Sequence, residues 1–173
     1  MLGAIDFTTI EVYRDNILVN GRSNASGSGK NYAVRYGTTD ATLRSDYNDL
    51  YVSGVGGVLG GTGSGSQIVD YPTLAAWQAA TGRDGASLSA DPLFVNAGGS
   101  ALAGDLHINT AIYPVSPVTN AGLDVDLDDD FDDDPRGATP DIGADEYPNY
   151  TLTASAGPNG SISPAGILLV NGG

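Results

Sequence analysis

Residues 122–147, GLDVDLDDDFDDDPRGATPDIGADEY, carry the strongest pattern in this sequence. Eight of the eleven residues at positions 124–134 are aspartates, a density at which the like charges repel one another. Calcium neutralises such clusters because it accepts about six to eight oxygen ligands and tolerates irregular loops. We therefore predict a Ca²⁺ site with Asp128, Asp130, Asp132 and Asp134 as first-choice ligands and Asp124 and Asp126 as second choices.

A solvated acidic loop without a bound ion is the alternative interpretation of the same residues. Turn-forming residues follow the aspartates at Pro135, Gly137 and Pro140, and disordered acidic segments usually lack them. The glycine and the terminal glutamate of an EF-hand loop are missing, so a Ca²⁺ site here would not be an EF-hand. Arg136, the basic residue beside the cluster, is expected in an internal ion pair.

The segments SPVTNAG and DFDDDPRGATPDIGADEY, at residues 116–122 and 130–147, resemble the closing segment of a known family. This family comprises right-handed parallel β-helix proteins of the choice-of-anchor type, which are bacterial surface or secreted proteins. Further similarity in SDYNDLYV, TLAAWQAATG and SADPLFVN extends the resemblance over roughly residues 10–147. Two departures are Asp133, where the family usually has Gly, and Thr119–Asn120, where it usually has Ile-Asp. The resemblance implies an all-β fold and an extracellular or cell-surface location, with any export signal outside this chain.

A spacing of 32 residues separates two similar short segments, in which Asn16 precedes Leu18 and Asn48 precedes Leu50 by two positions. Such an offset fits a solenoid, in which each coil adds one strand to a parallel sheet, although an antiparallel sandwich stays open. With the resemblance, we predict a right-handed parallel β-helix (solenoid) fragment with one short helix and a C-terminal β tail. The side chains predicted to point inward are Leu18, Val34, Leu50, Phe94, Leu106 and Ile142.

Composition changes after residue 147, and we predict a boundary there between a β-helix domain at residues 1–147 and a tail at residues 148–173. The tail sequence YTLTASAGPNGSISPAGILLV resembles the first half of an internalin-B-type bacterial surface repeat. The resemblance implies that the chain begins inside a β-helix and ends inside the next module of a longer protein.

The segment TLAAWQAATG at residues 73–82 predicts a short helix, capped by Thr73 and ended by Gly82. Trp77 is expected to pack this helix against the core. Its alternative role is a glycan contact, in which the indole ring stacks on a sugar. His107, the single histidine, is assigned a structural role because no second His or nucleophile motif accompanies it.

The formal charge of −14 disfavours a nucleic-acid partner, because binding phosphates requires clustered Lys and Arg. No run of about 20 apolar residues exists, so membrane insertion is not expected either. The sequence contains no cysteine, which removes disulfides as a source of stability.

Three functions are compatible with this sequence. The favoured one is a noncatalytic structural or adhesive module of a larger bacterial cell-surface or secreted protein. The alternatives are a fragment of a polysaccharide-degrading lyase or hydrolase and a glycan-binding module, each with polysaccharide as the partner. Enzymatic activity is left open, with a preference against it, because carboxylates are plentiful and basic residues are few.

Open strand edges at both ends of a β-helix fragment predict head-to-tail self-association. The N-terminal segment LGAIDFTTIEV would offer one edge, and the apolar segment GILLV at residues 166–170 would donate an unpaired strand. The alternative is a monomer with a disordered tail.

Overall fold

The computed structural model describes residues 11–24, 29–37, 43–98, 102–109, 116–147 and 149–171. These ranges contain eleven short strands and one helix, connected by turns and loops. In chain order they are β1 (Val12–Arg14), β2 (Ile17–Asn20), β3 (Asn31–Tyr36), β4 (Arg44–Asp46), β5 (Asp49–Val52), β6 (Gly57–Thr62), β7 (Val69–Tyr71), α1 (Leu74–Thr81), β8 (Phe94–Asn96), β9 (Asp105–Ile108), β10 (Asn149–Ala154) and β11 (Gly166–Asn171). No helix within these ranges is long and apolar enough to cross a bilayer.

Parallel pairing joins the first three strands to the next three. Strand β1 pairs with β4, β2 with β5 and β3 with β6. In the first two pairs the partners are 32 residues apart, as in Ile17 with Asp49. The offset between Asn16 and Asn48 therefore marks two chain passes that lie side by side. A single parallel bridge between Asp49 and Leu88 connects the second pass to a later segment of the chain.

The remaining ladders are antiparallel, and they overturn the predicted solenoid. Strand β6 pairs antiparallel with β7, β8 with β9 and β10 with β11. The strands thus form five separate sheets, four of two strands and one of three. The prediction of a right-handed parallel β-helix is wrong, because in the described ranges parallel pairing beyond the second pass is limited to the single Asp49–Leu88 bridge. The strands that follow β6 pair antiparallel instead.

Helix α1 begins and ends where the sequence predicts. The Thr73 hydroxyl accepts a hydrogen bond from the Ala76 N–H at 3.2 Å, and Gly82 has the left-handed φ of 66° that ends the helix. Trp77 is buried against Tyr36 and Tyr71, with ring centroids 5.3 and 5.7 Å away.

The apolar core consists of two clusters. One contains Val34, Leu50, Leu59 and Trp77, and the other contains Ile108, Val118, Ile142 and Tyr147. Burying a large apolar side chain stabilises the fold by about 1.5–3 kcal/mol.

Of the six side chains predicted to point inward, Val34, Leu50 and Ile142 are buried and Phe94 is half-buried. The prediction is wrong for Leu18 and Leu106, which are 37% and 61% exposed. Both line an open cleft.

A buried polar network connects α1 to the parallel strands. The Asp84 Oδ1 accepts hydrogen bonds from Ser45 Oγ and Ser87 Oγ at 2.8 Å each. The same oxygen accepts one from Asn48 Nδ2 at 3.1 Å. Its Oδ2 accepts one from Trp77 Nε1 at 2.7 Å. Both carboxylate oxygens are satisfied, as a fully buried carboxylate requires.

The two passes are also joined by their asparagines. The Asn48 Oδ1 accepts hydrogen bonds from the backbone N–H and the Nδ2 of Asn16 at 3.0 and 3.1 Å. The Asn48 Nδ2 in turn donates to the Tyr13 carbonyl at 3.1 Å. These contacts fix the register of the two passes.

The tail strands β10 and β11 pair with each other, with Tyr150 opposite Val170 and Leu152 opposite Leu168. The segment GILLV is therefore already paired along one edge, which removes the unpaired donor strand that the self-association prediction assumed. Most of the expected acceptor, LGAIDFTTIEV, lies outside the described residues. The predicted boundary at residue 147 stays a prediction.

Candidate functional site

The acidic loop, defined here as residues 124–134, folds back on itself. The Asp128 carbonyl accepts a hydrogen bond from the Arg136 N–H at 2.8 Å, and the Asp134 carbonyl accepts one from the Asp130 N–H at 2.9 Å. Asp133 has a left-handed φ of 68°, a conformation that Asp tolerates better than most residues other than Gly. The loop is thus a closed turn held by backbone hydrogen bonds.

Asp130 is the residue that shapes this turn. Its Oδ1 accepts hydrogen bonds from the N–H groups of Asp132 and Asp134 at 2.7 and 2.9 Å. Its Oδ2 accepts one from the Glu146 N–H at 2.7 Å and so connects the loop to the segment that follows it. Hydrogen bonds to a charged acceptor each contribute about 1.5–3 kcal/mol, so we assign Asp130 a structural role.

The six predicted calcium ligands do not converge on one point. Asp124 accepts a hydrogen bond from the Asp126 N–H at 3.0 Å within its own turn, and Asp128 is exposed. In the described ranges, one group of three or more metal-ligating side chains comes together, and Asp132 is its only member from the predicted six. Calcium binding by the six aspartates stays a prediction.

The group that does come together consists of His107, Asp132 and Asp145, whose ligand atoms all lie within 4.8 Å of one another. The His107 Nε2 lies 2.6 Å from Asp132 Oδ2, and its Nδ1 lies 2.6 Å from Asp105 Oδ1. The Asp145 Oδ2 accepts a hydrogen bond from the Ile108 N–H at 2.8 Å, which places Asp145 beside β9. We call these three residues the histidine cluster.

Sequence reasoning assigned His107 a structural role and missed its functional potential. The available signal was the Asp-x-His spacing of Asp105 and His107 in a strand, where alternate side chains project from the same face. The approach of Asp132 and Asp145 had no local signal, because they are 25 and 38 residues further along the chain.

The charges of the cluster depend on one another. Hydrogen bonds that the imidazole donates to Asp105 and to Asp132 raise the pKa of His107 to about 9, so the imidazole is protonated at neutral pH. The hydrogen bond accepted from His107 lowers the pKa of Asp105. Burial raises the pKa of Asp145, against the opposing effect of the Ile108 hydrogen bond.

An open cleft of about 1180 Å³ lies beside the histidine cluster, and His107 and Asp145 line it. Its walls come from β2, the β8–β9 hairpin and the acidic loop. The apolar side chains in these walls include Leu18, Leu102, Leu106, Val125, Leu127 and Phe131. The charged residues are mostly acidic, with Asp15, Asp105, Asp129, Asp130 and Asp145 against Arg14 and Arg136.

Phe131 is the exposed aromatic residue of this cleft. Its side chain is 79% exposed, while its backbone N–H donates to the Ala144 carbonyl at 3.0 Å. The ring therefore projects from an anchored backbone. Trp77 is fully buried, as expected for packing α1 against the core, so its alternative role as a glycan contact has no open ring face.

The segment after the acidic loop is held by a second set of charges. The Arg136 Nε lies 3.9 Å from Glu146 Oε2 in a buried ion pair, so the partner is Glu146 rather than one of the neighbouring aspartates expected from the sequence. The Asp141 carboxylate accepts hydrogen bonds from the Asn120 and Tyr147 N–H groups at 2.6 and 2.8 Å. Burial raises the pKa of both Asp141 and Glu146. These contacts hold in place the segment that carries Asp145, beside the cleft.

No family model matches this chain, and no curated protein or solved structure matches it. The resemblance to choice-of-anchor β-helix proteins and to internalin-B-type repeats therefore stays a prediction from the sequence.

Proposed function

We propose that the chain is a noncatalytic adhesive module of a larger extracellular or cell-surface bacterial protein, and that the cleft binds a neutral or cationic polysaccharide. The observation that carries this proposal is an open cleft of about 1180 Å³ with an exposed aromatic ring and with both apolar side chains and carboxylates among its lining residues. Binding sites for organic ligands are typically concave and apolar with a few polar groups that fix orientation.

The side chains around Phe131 suit a sugar ring. The apolar C–H face of a pyranose packs against an aromatic ring or an aliphatic side chain, and Leu127 and Leu106 lie in the same cleft. Sugar hydroxyls donate hydrogen bonds to carboxylates, and Asp129 is one of the carboxylates that line the cleft. The cleft thus offers both kinds of contact to one ligand.

The charge of the cleft restricts the class of polysaccharide. Acidic residues outnumber arginines among its lining residues, and the whole chain carries a formal charge of −14. Uronic-acid and sulfated polymers would be repelled, whereas neutral and amino-bearing polymers would not. The location at the cell surface rests on the sequence resemblance.

Binding of the full chain to neutral, amino-bearing and uronic-acid polysaccharides tests the proposal. We expect Phe131→Ala to weaken binding to the preferred polymer by at least about tenfold, equivalent to about 1.4 kcal/mol. Val55→Ala is the matched control, because Val55 is 70% exposed and lies outside the cleft. Equal binding by the two variants, or a preference for uronic-acid polymers, would overturn the proposal.

A polysaccharide-degrading enzyme is the second candidate, and one observation favours it. Asp145 lines the cleft with a raised pKa, and Asp132 lies close to it. Paired carboxylates with different pKa values are the groups that hydrolyse glycosidic bonds. Release of reducing ends by the native chain, lost in Asp145→Asn and retained in Asp128→Asn, would replace the noncatalytic proposal.

A further inference from the structure

We propose that the histidine cluster binds a divalent transition-metal ion of the Zn²⁺ class, with His107 Nε2 and one oxygen each of Asp132 and Asp145 as ligands. This inference does not depend on the polysaccharide proposal. It also differs from the predicted calcium site, with which it shares Asp132 alone.

The spacing of the three ligand atoms suits such an ion. In a tetrahedral zinc site with bonds of about 2.0 Å, the ligand atoms lie about 3.3 Å apart. Here Nε2 and the Asp132 oxygen are 2.6 Å apart, and all three ligand atoms lie within 4.8 Å of one another. Entry of an ion displaces the proton between Nε2 and the Asp132 oxygen and moves these two atoms apart by about 0.7 Å, and both side chains are exposed enough to make this shift.

The orientation of the imidazole is already set. Asp105 Oδ1 lies 2.6 Å from Nδ1 and also accepts the His107 backbone N–H at 3.1 Å. A carboxylate on Nδ1 places the second nitrogen, Nε2, towards the ion, and this arrangement accompanies most metal-bound histidines. Asp105 is thus a positioning residue for the site rather than a ligand.

Asp145 is held in place by different contacts. Its Oδ2 accepts the Ile108 N–H at 2.8 Å, and the residue is half-buried against β9. The three ligands come from β9, the acidic loop and the segment beyond it. A bound ion would therefore connect three separate parts of the chain.

The donor set selects the class of ion. Calcium and magnesium take oxygen ligands, whereas imidazole nitrogen suits zinc, copper, nickel and iron. Two carboxylates and one imidazole leave at least one coordination position for water, and His107 and Asp145 both face the cleft. The site is thus of the open type, with room for an exogenous ligand.

The single histidine makes the test direct, because every imidazole signal comes from His107. Chelator-treated full chain is titrated with Zn²⁺ while its imidazole resonances are recorded by NMR, and stoichiometry is measured by calorimetry. We expect one ion per chain, a shift of the His107 ring signals that identifies Nε2 as the ligand, and a higher melting temperature with Zn²⁺.

Four variants complete the experiment. We expect His107→Ala and Asp145→Asn to weaken Zn²⁺ binding by at least tenfold, and Asp105→Asn to weaken it by about 10- to 100-fold through the lost orientation of the ring. Asp128→Asn is the matched control, because it removes one charge from the same loop outside the cluster. Circular dichroism of each variant without metal shows whether it is folded.

Two results would overturn the inference. The first is that folded His107→Ala binds Zn²⁺ as strongly as the native chain, or that Asp145→Asn does so while its imidazole signals stay unshifted on addition of Zn²⁺. The second is that the native chain binds Ca²⁺ at lower concentration than Zn²⁺ and that Asp128→Asn loses this Ca²⁺ binding. That result would place the ion at the calcium ligands predicted from the sequence. Polysaccharide binding measured with and without chelator is scored separately, so failure of either proposal is distinguishable.

Discussion

The network around Asp84 and the histidine cluster are both built from carboxylates and their hydrogen-bond donors, but they differ in burial. Asp84 is fully buried and each of its oxygens is paired, whereas His107 and Asp132 are exposed beside a cleft. A buried polar group must find its partners inside the protein, so its network specifies the packing of the strands. An exposed group can exchange its partner for an ion or ligand at small cost. The Asp84 network therefore stabilises the fold, whereas the histidine cluster can exchange its internal hydrogen bonds for contacts with an ion or ligand.

The largest effect that would test this contrast is expected for Asp84→Ala. The substitution leaves the indole N–H of Trp77 and the hydroxyl groups of Ser45 and Ser87 without the acceptor that Asp84 provides. We expect the free energy of unfolding to fall by about 5 kcal/mol, because each buried unpaired donor costs about 1–3 kcal/mol. Urea denaturation measures this, with Asp128→Ala on the exposed loop as the control, expected within about 0.5 kcal/mol of native. Similar losses in both variants would break the contrast.

Asp49 sharpens the comparison, because it is a buried carboxylate whose pairing is incomplete. Its Oδ1 accepts the Ala90 N–H at 3.1 Å, while its Oδ2 has no protein partner. Burial raises its pKa from 3.8 to about 7. The folded state thus favours the protonated acid, so this group stabilises the fold most below pH 4, and the contribution is lost as pH rises to about 7.

We expect Asp49→Asn to remove this pH dependence and to be more stable than the native chain above pH 7 by up to about 4 kcal/mol. Urea denaturation between pH 4.5 and pH 8 measures the difference. An equal pH dependence in the native chain and the variant would show that Asp49 is ionised in the folded state without cost.

Gly60 tests whether the core around the Asp84 network is as tightly packed as its hydrogen bonds indicate. A β-carbon at Gly60 would clash with the six-membered ring of Trp77. We expect Gly60→Ala to destabilise the fold by about 2 kcal/mol through overpacking. Gly137→Ala is the matched control, because a β-carbon there meets no atom within 4 Å. Thermal unfolding compares the two, and a Gly60→Ala variant as stable as the control would mean that the indole can move away.

The smallest change in stability is expected for His107→Ala, in the exposed histidine cluster. The folded pKa of His107 is raised from 6.5 to about 9, so its stabilising effect is complete below pH 6.5 and lost as pH rises through 9. Its side chain is half-exposed, and solvent screening limits the effect to under about 1 kcal/mol. Melting temperatures at pH 6 and pH 10, without metal, compare the native chain with the variant. A loss as large as that of Asp84→Ala would place the cluster among the groups that maintain the fold.

Local chemistry explains which features could be predicted from the sequence. The bounds of α1 follow from Thr73 and Gly82, which act on their own neighbours. The closed acidic loop follows from Pro135 and the aspartates, whose side chains bond backbone groups two to four residues away. The spacing of Asn16 and Asn48 indicated which segments lie side by side, because equivalent residues of paired passes are neighbours, and these two asparagines hydrogen-bond to each other.

The sequence by itself thus determined the helix, the turn chemistry, the negative charge and the pairing of two passes. Only the tertiary structure decided that later strands pair antiparallel and that Phe131 is exposed at a cleft. It also decided that His107 meets Asp132 and Asp145, residues that no local pattern connects. The physical reason is the distance along the sequence between the residues that must interact. A cap or a turn forms within a few residues, whereas a cleft or a cluster depends on how distant segments pack, and the same short strands are compatible with several packings.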